Sequence, residues 1–200
     1  MKVLPFLGEH DLSAAVAAVR EALAAHGVVA IPTETFYGLA VDPRDPDAVG
    51  KVFALKGRDV GKALLVVAAS LQQAEELAVI AEPWRSRLRE VWPAPLTVVF
   101  PARQPLPGSG ATVAVRVPAM PLLRELLAEV GPLTATSANA SGQAPARTVA
   151  ELGELAGKVD LVLDGGSTPG GLPSTLLDAT AVPARVVRPG AWAVPPFWLV

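Results

Sequence analysis

Residues 28–67 constrain the fold most, because two short apolar segments enclose a polar segment and a helical pattern. Residues 28–31 are apolar and largely β-branched, which predicts a buried strand that Pro32 ends. Residues 46–55 follow Asp45 and precede Gly57, which predicts a helix with a side-chain N-cap and a left-handed C-terminal turn. Residues 63–67 predict a second buried strand, and this alternation indicates an α/β protein.

Polar and charged residues follow the first of these strands and precede the second. The segment Thr-Glu-Thr occupies residues 33–35, and Lys56, Arg58 and Lys62 lie just before the second strand. The pattern predicts a binding site for a polyanion beside a small polar molecule.

The composition excludes several kinds of site. The chain has 200 residues, 51% of them hydrophobic, which is enough for one well-buried core. It has no cysteine, which excludes disulfides, thiolate metal sites and thiol nucleophiles, and its two histidines are too few for a multi-histidine site. A net charge of −2 argues against stable nucleic-acid binding. Apolar segments fall short of the roughly 18–20 residues of a membrane span, so we expect a cytoplasmic protein without membrane association.

The rest of the chain alternates helical and strand patterns without repeats. Helices are predicted at 11–25 with Asp11 as the N-cap, at 71–78, 83–91 and 121–130, and in a short segment ending near Gly157. Strands are predicted at 96–100, 112–117, 133–135, 161–163, 174–177 and 185–187, with a Pro/Gly-rich loop at 101–110. We therefore predict a single domain over residues 1–200, with one twisted, mostly mixed sheet and flanking helices.

The C-terminal segment 191–200 contains Trp192, Phe197 and Trp198. Because it is too apolar to remain in solvent, we expect it to pack on the domain or against a partner chain.

Known phosphate-binding loops do not fit the cationic segment. Gly57 and Gly61 are separated by three residues and follow a helix, unlike a Walker loop, and no Gly-x-Gly-x-x-Gly follows a strand. Lys56 and Arg58 have two interpretations, since cations also complement the dipole at the end of a helix. If both instead face an empty anion site, removing either is expected to leave stability level or slightly higher.

Three further segments have both a structural and a functional interpretation. Arg116 lies between valines in a predicted strand, and a buried arginine needs an anionic partner or ligand. The segment Thr-Ser-Ala-Asn at 136–139 is either turn chemistry or part of a site. Asn139 and Tyr37 are the chain's single asparagine and single tyrosine, each in a candidate segment. The glycine-rich loop 165–171 is either a lid or a surface loop.

Seven short motifs occur in one order from Pro32 to Gly190, about four fifths of the chain. They are P-T-E-T-F-Y-G-L, K-G-R…G-K-A-L, W-P-A-P-L-T, A-V-R-V-P, T-S-A-N-A-S-G, S-T-L-L-D and R-P-G. Together they resemble the YrdC family of threonylcarbamoyl-AMP synthases. The motif-bearing part of the domain is thus about 28–190. The chain departs from the family pattern at Asp59 and Ala63, where prolines are usual, and at Ala94, where glycine is usual.

The resemblance implies a YrdC-like fold and a nucleotidyltransferase that makes threonylcarbamoyl-AMP from L-threonine, bicarbonate and ATP, releasing pyrophosphate. The product is then passed to a threonylcarbamoyl-transferase complex that modifies a tRNA adenosine. Mg²⁺ is expected with ATP, without protein metal ligands. The catalytic residues implied are Lys56, Arg58, Ser137 and Asn139. The ATP-binding residues implied are Arg58, Lys62, Thr112, Ser137 and Arg188, and the threonine-binding residues are Thr35, Arg116, Ala135 and Ser174.

Two alternatives remain open from the sequence. The first is an RNA-binding module of the same fold, against which the net negative charge and scarce exposed aromatic candidates argue. The second is a carbamoyl-transfer domain like that of larger hydrogenase-maturation proteins, which the length of the chain disfavours.

Overall fold

The structure is a computed structural model that describes residues 2–57, 65–139 and 142–199. Its strands are β1 Lys2–Pro5, β2 Val29–Ile31, β3 Gly38–Ala40, β4 Leu65–Val67, β5 Leu96–Leu106, β6 Gly110–Arg116, β7 Leu133–Thr134, β8 Thr136–Ser137, β9 Leu161–Asp164, β10 Thr175–Asp178 and β11 Arg185–Arg188. Its α-helices are α1 Glu9–Ala24, α2 Pro46–Lys56, α3 Leu71–Ala74, α4 Trp84–Val91 and α5 Pro121–Val130, and 3₁₀ segments span Ala150–Lys158 and Pro196–Trp198.

The strands form two mixed sheets. The first has the order β1-β9-β2-β3-β8, with β1, β9 and β2 parallel and the last two strands antiparallel to their neighbours. The second has the order β11-β10-β5-β6-β4-β7, with parallel pairing of β10 to β5 and of β4 to β6. The predicted mixed α/β class is confirmed, although the strands divide into two sheets where the sequence predicted one.

Helices cover both faces of the first sheet, as the alternation within β2 requires. Val29 and Ile31 pack with α1 and α5, whereas Ala30, which points the other way, packs with α2 and the first 3₁₀ segment. The second sheet packs its apolar side chains, such as Leu96 and Val98, against α4 and the C-terminal segment.

The chain passes from one sheet to the other at Ala135, which separates β7 of the second sheet from β8 of the first. The predicted strand 133–135 is therefore divided at this residue. The two sheets also meet here through a backbone hydrogen bond, because the Thr134 amide of β7 donates to the carbonyl of Val41, the residue after β3, at 2.9 Å. This junction brings segments from both sheets to one pocket.

Local signals predicted two helices well. In α2 the Asp45 carboxylate accepts from the amides of Asp47 and Ala48, and Gly57 ends the helix at φ 56°. Helix α5 has the predicted bounds, 121–130. In α1, however, Asp11 is not the N-cap: the helix begins at Glu9 and the Asp11 carboxylate accepts from the amides of Leu7 and Gly8.

Non-local pairing overturns two other predictions. The predicted loop 101–110 is wrong, because β5 continues to Leu106 and forms a hairpin with β6. The predicted helix 71–78 ends at Ala74, because residues 77–79 pair with β5: the Arg103 amide donates to the Leu77 carbonyl and the Val79 amide to the Pro101 carbonyl, both at 2.8 Å. Strands β1 and β3 were not predicted.

The C-terminal segment packs back on the domain, which is one of the two arrangements that the sequence predicted. Trp198 is 4% exposed and meets Trp84 edge-on, with ring centroids 5.4 Å apart. Trp192 lies 5.1 Å from Trp198 in a tilted arrangement, whereas Phe197 is largely exposed. Across the described ranges, no helix combines the length and the apolarity needed to cross a lipid bilayer.

Candidate active site

A pocket of about 470 Å³ lies where the two sheets meet. The first sheet and its turns contribute residues such as Thr35 and Ser137, and the second contributes residues such as Arg116 and Arg188. Eight of the predicted site residues line this pocket: Thr35, Lys56, Arg116, Ala135, Ser137, Asn139, Ser174 and Arg188.

Lys56 is the last residue of α2, and its ammonium reaches the segment that follows β8. Nζ donates to the Ser137 carbonyl at 2.6 Å, to Ser137 Oγ at 3.3 Å and to Asn139 Oδ1 at 2.8 Å. The side chain is buried, so it does more than complement the helix dipole in solvent. Ser137 Oγ also donates to Asn139 Oδ1 at 2.6 Å, and Asn139 Nδ2 donates to the Gln143 carbonyl. The structure thus joins three of the four predicted catalytic residues in one network.

A glycine lies close to the backbone beside this network. Gly38 pairs with Ser137 in the first sheet, and a Cβ at position 38 would lie 3.3 Å from the Ala135 Cα. That contact is tighter than an ordinary van der Waals approach. A larger residue at position 38 would therefore require the backbone at Ala135 to shift by a few tenths of an ångström.

Arg116 ends β6 and is almost fully buried at 2% exposure. Its Nη1 lies 3.0 Å from Glu34 Oε1, so the anionic partner that its burial requires is present within the protein. Burial lowers the pKa of Arg116, the Glu34 carboxylate opposes that change, and the charge of Arg188 adds to it. Two arginines therefore face one pocket and repel each other across it.

The turn after β2 is held by threonine hydroxyls. Thr33 Oγ1 accepts from the amides of Thr35 and Phe36 at 3.2 and 3.3 Å and donates to the Phe36 carbonyl at 2.7 Å. This local arrangement fixes the backbone of the segment that carries Glu34 and Thr35.

The opposite wall of the pocket is built by the segment before β10 and by β11. Ser174 Oγ lies 2.9 Å from Thr97 Oγ1, and both residues are buried. Arg188 Nη2 donates to the Ser174 carbonyl at 2.9 Å, and partial burial of this guanidinium lowers its pKa. Gly190 is required here, since a Cβ would lie 2.3 Å from the Pro173 carbonyl oxygen.

Tyr37 joins the site turn to the glycine-rich loop 165–171. Its hydroxyl donates to the Gly166 carbonyl at 2.9 Å and accepts from the Gly165 amide at 3.0 Å, and burial raises its pKa to about 12. The Gly170 amide also donates to the Thr35 carbonyl at 2.8 Å. These contacts favour a loop attached to the wall of the pocket over an independent surface loop.

The electrostatic character of the pocket is cationic. Among the described residues its lining includes Lys56, Arg116 and Arg188 but no carboxylate, and Glu34, the partner of Arg116, is not one of the lining residues. Hydroxyl and amide groups make up much of the remaining polar lining. Such a pocket suits a ligand that carries several negative charges.

Of the three remaining predicted residues, Thr112 alone belongs to the described part of the chain, and it is not among the residues that line the pocket. Arg58 and Lys62 lie outside the described residues. Thr112 is on the same strand as Arg116, two residues beyond the pocket-lining Ala114, and its predicted ATP contact stays a prediction.

Sequence reasoning included Thr33 in the polar site segment without giving it a role, and it missed Thr97 and Leu176 as pocket residues. Both belong to quoted motifs, W-P-A-P-L-T and S-T-L-L-D, but no local feature distinguishes them as site residues. The pairing of β10 with β5 brings them to the pocket.

A potential metal-binding group lies elsewhere. In the described ranges, His26, Asp45 and Asp47 place potential ligand atoms within 4.8 Å of one another. None of them lines the pocket. Asp45 already caps α2 and bonds to His26 Nδ1 at 2.7 Å, so this cluster serves the helix end.

The chain is similar to known proteins in both sequence and structure. The family model for Sua5, YciO and YrdC, described as telomere recombination, matches residues 21–190. A threonylcarbamoyl-AMP synthase of Pseudomonas putida strain KT2440 is 40% identical over 179 residues, which is 86% of this chain and 95% of that protein. One from Pyrococcus abyssi is 40% identical over 172 residues, 82% of this chain but only 50% of that protein.

The crystal structure of P. abyssi Sua5 complexed with L-threonine matches the fold with a TM-score of 0.85 at 34% identity. The match covers 95% of this chain and 58% of that chain. This chain therefore corresponds to roughly half of the archaeal relative and to nearly all of the bacterial one. With a family model matched over most of its length, the chain belongs to the Sua5/YciO/YrdC family.

Proposed function

We propose that this protein is an L-threonylcarbamoyladenylate synthase, a nucleotidyltransferase that uses L-threonine, bicarbonate and ATP and releases pyrophosphate. The observation that carries the proposal is the convergence of Lys56, Arg116 and Arg188 on one pocket beside Ser137 and Asn139. Relatives at 40% identity named threonylcarbamoyl-AMP synthase support it, as does the threonine complex of the similar Pyrococcus protein.

The proposed chemistry needs no protein nucleophile. The threonine amine adds to carbon dioxide derived from bicarbonate and loses a proton, which gives a carbamate. A carbamate oxygen then attacks the α-phosphorus of ATP, forming the mixed anhydride as the bond to the pyrophosphate oxygen breaks. The protein must hold two anionic reactants together and stabilise charge on the phosphates and on pyrophosphate.

The residues divide into two groups for this task. In our proposal Arg116, Thr35, Ala135 and Ser174 receive threonine, with the guanidinium on its carboxylate and the small Ala135 leaving room for the substrate. Ser137 and Arg188 receive ATP, together with Arg58, Lys62 and Thr112 from the family pattern. Lys56 and Asn139 hold the Ser137 segment in position, since Lys56 Nζ donates to the Ser137 carbonyl and Ser137 Oγ donates to Asn139 Oδ1, both at 2.6 Å. The Lys56 ammonium also brings positive charge to the phosphates.

Mg²⁺ is proposed as a companion of ATP. The described pocket lining offers cationic and neutral groups, so we assign the ion to phosphate oxygens and not to protein carboxylates. When bound there, it withdraws charge from the phosphates.

The downstream steps are also proposals. We expect the product to pass to a threonylcarbamoyl-transferase complex that acts on a tRNA adenosine, in the cytoplasm, without stable nucleic-acid binding by this chain. No observation in the described structure favours an RNA-binding module or a carbamoyl-transfer domain over the synthase.

Substrate omission tests the proposal. Purified protein with Mg²⁺ and ATP should release pyrophosphate only when L-threonine and bicarbonate are both present. Equal release without threonine, or no release with all substrates, contradicts the synthase function. Tight RNA binding at physiological salt instead supports the binding module.

Selectivity tests the assignment of Arg116. Replacing it with alanine should weaken the binding of threonine far more than the binding of ATP, since the guanidinium is assigned to the threonine carboxylate. D-threonine should be a poor substrate. Unchanged threonine affinity in this variant means that Arg116 serves only to neutralise Glu34.

A further inference from the structure

The pair of Glu34 and Arg116 is close but poorly bonded. Arg116 Nη1 and Glu34 Oε1 lie 3.0 Å apart, and the two side chains are only 3% and 13% exposed. Yet both Glu34 carboxylate oxygens and Arg116 Nε are buried without a hydrogen-bond partner. The carboxylate therefore neutralises the guanidinium without the aligned bonds that a bidentate pair makes.

Such a pair is costly compared with a fully bonded one, because buried polar atoms retain their desolvation penalty. It persists for an electrostatic reason. Arg116 also faces the charge of Arg188, so without Glu34 the buried guanidinium has no neighbouring anion among the described residues. Glu34 is thus the counter-ion of Arg116 when the pocket holds no anion.

The backbone that carries Glu34 cannot move far. Thr33 Oγ1 accepts from two amides of the turn, and the Thr35 carbonyl accepts from the Gly170 amide at 2.8 Å. A ligand carboxylate that reaches the guanidinium from the pocket therefore meets a second carboxylate that stays nearby. The two anions then share one cation.

We propose that Glu34 stands in for the substrate carboxylate on Arg116 and, by competing with it, lowers the affinity of the pocket for threonine. This inference rests on the proposed function, because it takes the α-carboxylate of threonine as the incoming anion. Glu34 acts through Arg116 and is a positioning residue. It offsets the charge of the guanidinium and orients it before substrate arrives, and it makes the release of the carboxylate easier.

The size of the effect follows from the repulsion between the two carboxylates. We take the two anions on one guanidinium to lie about 6 Å apart and the effective dielectric constant to be about 40, between about 20 near a protein surface and about 80 in water. The repulsion then corresponds to about a tenfold change in affinity.

The test compares binding of L-threonine with binding of L-threoninamide, which lacks the carboxylate charge. Both are measured by calorimetry on wild type, Glu34→Gln and the control Glu75→Gln. Glu75 is also a mostly buried glutamate paired with an arginine, with 2.7 Å between its Oε1 and Arg85 Nε, but it lies outside the pocket. We expect Glu34→Gln to bind threonine about tenfold more tightly than wild type does, whereas its affinity for threoninamide should stay within twofold of the wild-type value. Without ligand, we expect this variant to melt at a lower temperature than wild type.

Each outcome decides the question. Threonine affinity that is unchanged or weaker in Glu34→Gln overturns the inference, as does an equal gain for threoninamide. If wild type does not bind threonine at all, the proposed function fails as well, so the two failures are distinguished. If Glu34→Gln does not fold, Glu34→Asp replaces it, because aspartate withdraws the charge by one methylene. We expect this variant to bind threonine about twofold more tightly than wild type, and the absence of any gain in affinity overturns the inference.

Discussion

Replacing Lys56 with methionine tests whether the network around its ammonium is part of the folded architecture. Methionine keeps the length and apolar stem but removes the donor to the Ser137 carbonyl at 2.6 Å and to Asn139 Oδ1 at 2.8 Å. Asn139 Oδ1 keeps a second donor, Ser137 Oγ at 2.6 Å, so the main loss is at the carbonyl. A hydrogen bond to a charged group contributes about 1.5–3 kcal/mol, so we expect the free energy of unfolding to fall by about 2–3 kcal/mol.

This expected loss of stability differs from the expectation drawn from the sequence. There, removing Lys56 from an empty anion site is expected to leave the stability of the fold unchanged or slightly higher. The difference arises because Lys56 is buried and bonded, not facing an empty site in solvent. The assay is urea unfolding followed by tryptophan fluorescence. Lys51→Met is the matched control, since Lys51 is on the same helix but bonds to the His26 carbonyl from an exposed position, and we expect it to lose less than about 1 kcal/mol. A Lys56→Met variant as stable as Lys51→Met refutes the reasoning.

Two further predictions concern groups outside the cationic network. Tyr37→Phe leaves the partly buried Gly165 amide without its acceptor at 3.0 Å, so the free energy of unfolding should fall by about 1–3 kcal/mol; a variant as stable as wild type contradicts this. Burial raises the pKa of Asp45, but bonds from His26 and the α2 amides outweigh it and leave the pKa below its usual value. The carboxylate therefore stabilises the fold above about pH 4 and loses that effect as pH falls through the lower folded pKa. Asp45→Asn should be less stable than wild type by under ~1 kcal/mol at pH 7. In thermal melts the gap should close as the pH falls through the lowered folded pKa, whereas a constant gap contradicts the assignment.

Local chemistry in the sequence determined the elements whose ends are set by neighbouring residues. Asp45 and Gly57 specify the bounds of α2 because capping depends on side chains and backbone freedom within a few residues. The motifs likewise named eight residues that the structure brings together around one pocket, because most motifs lie at or near the end of a strand or helix.

Tertiary structure decided what depends on pairing between distant segments. Nothing near residues 101–106 predicts a strand, since prolines interrupt it, and only the partners at β6 and residues 77–79 make it one. The division into two sheets at Ala135 is decided in the same way.

The charge balance of the pocket also required the fold. The sequence indicated that Arg116 needs an anion, but not that Glu34, 82 positions earlier, supplies it at 3.0 Å. Likewise, the sequence offered two interpretations of Lys56, and its burial against Ser137 and Asn139 distinguishes them. Distances between charges on different segments are set by packing of the whole chain, which is why a local pattern names the charged residues but does not determine how they pair.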